Sequence, residues 1–171
     1  RQRGGQLPIE VPLILSNHET MRDLADFYGV PFEHLAIAGA DDKAAFESRV
    51  LEVVEQQHIE LVVLARYMQI LSPELCEALA GKAINIHHSF LPGFKGANPY
   101  RQAHGRGVKL IGATAHFVTT DLDEGPIIEQ DVVRVDHSYT PTELMQLGQD
   151  EEARVLRRAV GWYAENRVLL D

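Results

Sequence analysis

Two polar side chains interrupt an apolar, strand-like run near the middle of the chain. Asn85 and His87 lie two residues apart in the segment AINIH, residues 83–87, and side chains two apart on a β-strand point to the same face. An amide N–H and an imidazolium N–H are both donors, so this pair can stabilise the oxyanion that forms when a nucleophile attacks a carbonyl. A buried Asn and His that hydrogen-bond to the backbone explain the pair equally well. His88 is predicted to point the other way and to support the strand from behind.

An acidic turn follows a later strand. The segment TTDLDEGP, residues 119–126, carries Asp121, Asp123 and Glu124. Such a turn is by itself more typical of a solvated surface. A carboxylate placed beside His87 would instead raise the pKa of the imidazole and orient its ring. An Asn, a His and an Asp brought together could polarise a carbonyl and move a proton.

A third histidine lies on the strand that leads to this turn. His116 precedes Asp123 by seven residues in the segment LIGATAHFV. It either supports the site from behind or is a core histidine whose polar atoms are satisfied locally, and the sequence favours neither interpretation.

The elements that must position these residues follow an α/β pattern. Helix signals include an apolar stripe that begins at Phe46, the cap and proline at Ser72-Pro73, and the same pair of signals at Thr140-Pro141. Strands alternating with helices predict a mostly parallel central sheet with helices on both faces, and two closely spaced late strands predict an antiparallel addition. Ligands bind at the carboxyl ends of such strands, which is where Asn85 and His87 lie. Strands are predicted at residues 11–16, 32–39, 61–65, 83–87, 110–118 and 126–135, and LVVLA (61–65) is predicted to be the most fully buried.

Composition excludes several classes of protein. The 171 residues are predicted to form one domain, and the net charge of −9 argues against a nucleic-acid partner. The single cysteine, Cys76, predicts a reducing compartment and a packing role. No apolar run reaches the roughly 18 residues that span a bilayer, and no signal-peptide core follows the N-terminus. We therefore expect a cytoplasmic protein without a membrane partner. Metal-binding, dinucleotide and serine-nucleophile motifs are not present in the sequence.

Longer stretches around these residues resemble one known family. NIHHSFLP, AHFV and DLDEG match the signature of the folate-dependent formyltransferases and hydrolases. Within this family, the chain is most similar to the formyltetrahydrofolate deformylase branch. The segments that carry this similarity are ARYMQIL, INIHHSFLP, KLIGATAHFV and GPIIEQDVVRV. The resemblance extends over residues 11–170 and implies a Rossmann-like formyltransferase fold.

The resemblance also implies the residues of the site. Asn85, His87 and Asp123 match the catalytic residues of the family, with no metal. The folate pocket of the family is built largely from backbone groups in two segments, which here contain Met68, Gln69, Ile70 and Leu71, and Thr119, Thr120, Asp121 and Leu122.

The implied reaction is hydrolysis of 10-formyltetrahydrofolate to tetrahydrofolate and formate, which supplies one-carbon units for purine biosynthesis. No cofactor is expected, and family members are commonly homo-oligomers. One alternative is transfer of the formyl group to an amine such as glycinamide ribonucleotide, and another is a folate-binding protein without activity. Family members carry a first strand and helix before the segment matching VPLILS, and deformylases an N-terminal ACT-type regulatory domain. Neither is found in this chain, so we expect an interrupted sheet.

Overall fold

A computed structural model describes residues 7–91 and 99–170, and the chain divides into two units, residues 1–60 and 61–171. In the first unit, β1 (Ile14–Ser16) pairs in parallel with β2 (Phe32–His34). Between them lie a short 3-10 turn (Glu19–Met21) and α1 (Arg22–Tyr28), and α2 (Ala40–Gln56) follows β2. Gly29 ends α1 with a φ of 66°, a left-handed conformation that favours glycine.

The second unit carries every residue of the predicted catalytic trio. Its order is β3 (Val62–Ala65), α3 (Pro73–Ala78), β4 (Ala83–His87), α4 (Pro99–Gly105), β5 (Leu110–Phe117), β6 (Ile127–Arg134) and α5 (Pro141–Ala164). The four strands form one sheet in the order β3-β4-β5-β6. β3 and β4 pair in parallel, whereas the β4–β5 and β5–β6 pairs are antiparallel. The predicted α/β class and its antiparallel addition are therefore confirmed.

The strands of the described residues fall into two sheets, one of two strands and one of four. The expectation of a sheet interrupted by a missing first strand stays a prediction. That residues 1–171 form a single catalytic domain stays a prediction.

The helix α5 covers the strands that carry the site. Thr140 caps it through a reciprocal pair of hydrogen bonds, in which its hydroxyl accepts from the Glu143 N–H and the Glu143 carboxylate accepts from the Thr140 N–H. The helix α5 also packs an apolar face against the sheet. Each aliphatic side chain that is fully buried in this way contributes about 1.5–3 kcal/mol to the stability of the fold. The core formed in this way contains Ile84, Ile86, Ala113, Ala115, Phe117, Val155 and Ala159.

Two predicted strands differ from the observed ones. β3 is not fully buried, because it lies at the edge of its sheet and its side chains alternate between half-buried and exposed, with Val63 38% exposed. Burial was predicted because the segment is apolar. An apolar sequence does not indicate whether a strand lies in the centre or at the edge of its sheet. β2 ends at His34, although the apolar segment was predicted to continue to residue 39.

No helix within the described ranges is long and apolar enough to cross a bilayer.

Candidate active site

The antiparallel pairing of β4 and β5 sets the geometry of the site. In this register Asn85 lies opposite His116, and His87 lies opposite Thr114. The Asn85 amide nitrogen Nδ2 is 3.2 Å from His116 Nε2, and His116 Nδ1 is 2.8 Å from the Phe117 carbonyl oxygen. Because a carbonyl only accepts, Nδ1 of His116 carries a proton, and in the neutral ring Nε2 accepts from the Asn85 amide. His116 thus orients the Asn85 amide, which the sequence analysis predicts to donate a hydrogen bond to an oxyanion.

Asp123 lies close to both histidines, on the turn after β5. Its Oδ1 atom lies 3.3 Å from His87 Nδ1 and 3.7 Å from His116 Nε2. The His87 and Asp123 side chains are only 7% and 15% exposed, so water screens their interaction weakly. Asp123 has a φ of 58°, in the left-handed region that Asp adopts more readily than most residues with a side chain. Asn85, His116, Asp123 and His87 therefore form one continuous polar cluster, and the predicted trio is brought together.

The protonation of His87 differs from the expectation. Burial lowers the pKa of His87 below its ordinary value, because a charged imidazole is poorly solvated there. Asp123 acts in the opposite direction, as predicted, while the neighbouring His88 and His116 lower the pKa of His87 further. The prediction of a raised pKa for His87 is therefore wrong in its net direction. It took account of the Asp123 carboxylate but not of the burial of the imidazole. The lowered pKa favours the neutral form of His87.

His88 does not point away from the site, and that prediction is wrong. Its ring stacks on that of His87, with centroids 4.7 Å apart and planes inclined by 20°. Side chains alternate between the two faces of a sheet only within a strand. Because β4 ends at His87, this alternation does not determine where His88 points. The Nε2 atoms of His87 and His88 are both buried without a hydrogen-bond partner within the described part of the chain.

A buried hydroxyl that sequence reasoning missed anchors the chain just beyond His88. Thr114, which is fully buried, donates to the Ser89 carbonyl at 2.9 Å and accepts from the Leu91 N–H at 3.1 Å. The Gln130 amide donates to Thr114 Oγ1 at 2.9 Å and to the Leu91 carbonyl at 3.2 Å. Only the register that places Thr114 opposite His87 could have pointed to this contact.

The two segments predicted to bind folate lie in the loops after β3 and β5. Met68, Ile70 and Leu122 expose 71%, 65% and 58% of their surface, which is unusual for large apolar side chains and marks a binding surface when they are contiguous. Gln69, Thr120 and Asp121 are also exposed, and Leu71 and Thr119 are half-buried.

Thr119 and Thr120 line a mainly apolar groove of about 260 Å³ beside α3. Cys76, Gly81 and Phe117 line the same groove. Within the described ranges, no group of three or more His, Cys, Asp or Glu side chains is arranged to hold a metal ion.

The sequence matches a known family over most of its length. The family model for formyl transferases matches residues 1–160, and the chain belongs to this family. The formyltetrahydrofolate deformylase of Corynebacterium sp. (strain P-1) is 55% identical over 170 residues, covering 99% of this chain and 59% of the relative.

Solved structures show the same similarity. A formyltetrahydrofolate deformylase from Burkholderia mallei superposes with a TM-score of 0.93 at 59% identity, over 99% of this chain and 60% of that one. Glycinamide ribonucleotide transformylase 1 from Symbiobacterium toebii superposes with a TM-score of 0.90 at 34% identity, over 99% and 81%. The chain thus spans about 60% of the length of the deformylases it matches.

Proposed function

We propose that the protein hydrolyses 10-formyltetrahydrofolate to tetrahydrofolate and formate. The observation that carries this proposal is the polar cluster of Asn85, His116, Asp123 and His87 in a chain that is 55% identical to a formyltetrahydrofolate deformylase. Formate released in this way would supply one-carbon units for purine biosynthesis.

Asn85 and His87 divide the chemistry in the proposed mechanism. Neutral His87 directs its Nδ1–H at the Asp123 carboxylate, so the lone pair on Nε2 accepts a proton from water as it attacks the formyl carbon. The remaining N–H of the Asn85 amide donates to the developing oxyanion. When the carbon–nitrogen bond breaks, the protonated His87 returns the proton to the departing folate nitrogen. This mechanism replaces the sequence-based hypothesis of a protonated His87 that donates to the oxyanion.

Folate is proposed to bind along the loops after β3 and β5. The exposed side chains of Met68, Ile70 and Leu122 offer an apolar surface for a flat ring, and backbone groups of the same loops can hold its polar edge. We propose that the reaction needs no metal or other cofactor, since the cluster supplies both the base and the oxyanion donor. A net charge of −9 supports the proposal that nucleic acid is not a partner. A cytoplasmic location and a homo-oligomeric state also remain proposals.

The test is release of formate from 10-formyltetrahydrofolate in the absence of any amine. We expect the wild-type protein, in its longest natural form, to release formate catalytically. Asp123→Asn keeps the size of the side chain but removes its charge, and should slow release by at least about 10²-fold. Asp150→Asn, on the exposed surface of α5, is the matched control and should have no effect. Absence of formate release by the wild type would refute the proposal.

Transfer of the formyl group to an amine is the second candidate. The structure shares its fold with a glycinamide ribonucleotide transformylase at 34% identity, and the same cluster would serve an amine nucleophile. Under this alternative, added glycinamide ribonucleotide should accelerate consumption of the formyl-folate. Under the proposed hydrolysis, the acceptor should change neither the rate nor the yield of formate.

A further inference from the structure

His88 is in direct contact with the proposed base. It follows the last residue of β4, and its ring lies nearly parallel to that of His87 at 4.7 Å between centroids. Contact across a ring face restricts the rotation of His87, whose Nδ1 is restrained at the same time by Asp123. The orientation of His87 is therefore determined by two groups, a carboxylate in the plane of the ring and a second imidazole on its face.

Each of the two imidazoles has a nitrogen without a protein partner. Nε2 of His87 and Nε2 of His88 are both buried, and within the described residues neither has a hydrogen bond. A buried polar atom of this kind has a chemical role or binds an ordered water molecule in most native structures. The two rings that carry these nitrogens are stacked, with centroids 4.7 Å apart, so both imidazoles belong to the same small site.

The charges around His87 favour such a water-binding role. Asp123 is the group that favours a positive charge on His87, whereas His88 and His116 oppose it. A neutral His87 keeps its Nε2 lone pair, and the neighbouring imidazole helps to maintain that state because two positive rings in contact repel each other.

We propose that His88 is a second water-binding residue of the hydrolytic site, whose Nε2 holds the attacking water together with Nε2 of His87. The stack holds the two imidazoles side by side. A water held by two acceptors is oriented with both hydrogens directed at the imidazoles and a lone pair free for the formyl carbon. This inference rests on the proposed hydrolysis, and it assigns to His88 the capture of water as the nucleophile.

The test substitutes His88 by phenylalanine in the longest natural form of the protein. His88→Phe keeps a flat ring that can stack on His87 but removes both nitrogens. We expect kcat for formate release to fall on the order of tenfold, less than the roughly 10²–10⁴ typical of groups that transfer the proton themselves, and KM for the folate to stay within about twofold. We also expect the pKa of His87, measured by NMR of its ring resonances, to rise. His137→Phe, an exposed histidine, is the matched control and should change neither.

Each outcome separates the inference from the proposed function. Release of formate by His88→Phe at the wild-type kcat would overturn the role of His88 alone. A raised KM at unchanged kcat would also overturn it, because His88 would then contact the folate and not the water. If the wild type releases no formate, the proposed hydrolysis fails and the inference fails with it. Should His88→Phe not fold, His88→Leu replaces it: this variant also removes both nitrogens, and the same loss of kcat is expected.

Discussion

Replacing Thr114 by valine tests whether the hydroxyl behind the site holds the chain that follows β4. Valine has nearly the same shape as threonine, but it cannot donate to the Ser89 carbonyl or accept from the Leu91 N–H, two contacts of 2.9 and 3.1 Å. Thr114 is fully buried, and Ser89 and Leu91 are 5% and 6% exposed, so water cannot easily replace these bonds.

The expected cost follows from the groups that lose their partners. A buried donor or acceptor left unsatisfied costs about 1–3 kcal/mol. The Leu91 N–H and the Ser89 carbonyl each lose a bond to Thr114. The Gln130 amide loses its 2.9 Å bond to Thr114 Oγ1 but keeps its bond to the Leu91 carbonyl at 3.2 Å. We therefore expect the free energy of unfolding to fall by about 2–4 kcal/mol. For a chain of this length, this loss corresponds to a Tm lower by roughly 5–15 °C.

Urea unfolding and the rate of formate release are the assays. Thr114→Ser keeps the hydroxyl and loses one methyl group, so it should retain most of the stability that Thr114→Val loses. The valine variant should also release formate more slowly, because the chain after His88 is no longer anchored. If Thr114→Val unfolds within about 0.5 kcal/mol of the wild type, within the range of an ordinary surface substitution, the proposed anchoring is wrong.

Three further predictions concern the residues of the cluster and its support. Asn85→Ala should lower kcat for formate release by about 10²–10³, the usual effect of losing one oxyanion donor, without changing the far-ultraviolet circular dichroism spectrum. Because burial lowers the pKa of His87 below its ordinary value of about 6.5, the unfolded chain binds more protons than the folded one just below that pH. Stability should therefore fall as the pH drops below about 6.5, and urea titrations of His87→Gln should show a weaker fall; equal pH dependence in both proteins would contradict the lowered pKa. A Cβ at Gly125 would lie 1.8 Å from the Phe117 carbonyl oxygen, so Gly125→Ala should lower Tm and slow formate release, whereas Gly105→Ala, which meets no atom within 4 Å, should lower neither as much.

Local signals explain why the ends of several helices could be predicted from the sequence. Ser72 before Pro73 and Thr140 before Pro141 each place a side-chain oxygen where the first free N–H groups of a helix need an acceptor. Gly29 provides the left-handed residue that ends α1. These signals act within one helical turn, so no knowledge of the tertiary structure is needed to read them.

The site could be predicted only in part, because its chemistry depends on distances between segments far apart in the sequence. Asn85, His87 and Asp123 were identified from motifs, but the net direction of the pKa shift of His87 required its burial, which no local pattern reports. The stacked position of His88 required the point at which β4 ends. Thr114 carries no polar motif, and its role became visible only through the register of β4 and β5.

That register connects the chemistry of the site to its support. Pairing Asn85 with His116 orients the proposed oxyanion donor, and pairing His87 with Thr114 places the hydroxyl that holds the following chain directly opposite the proposed base. A slip of one residue would turn both pairs to the opposite face of the sheet. The irregularity of the β5–β6 pairing lies between Ala115 and His116, next to the residue that contacts both Asn85 and Asp123. Irregular pairing of this kind is frequent beside functional sites. The β4–β5 pairing is regular at both pairs, and the β5–β6 pairing is irregular on the other side of the same strand.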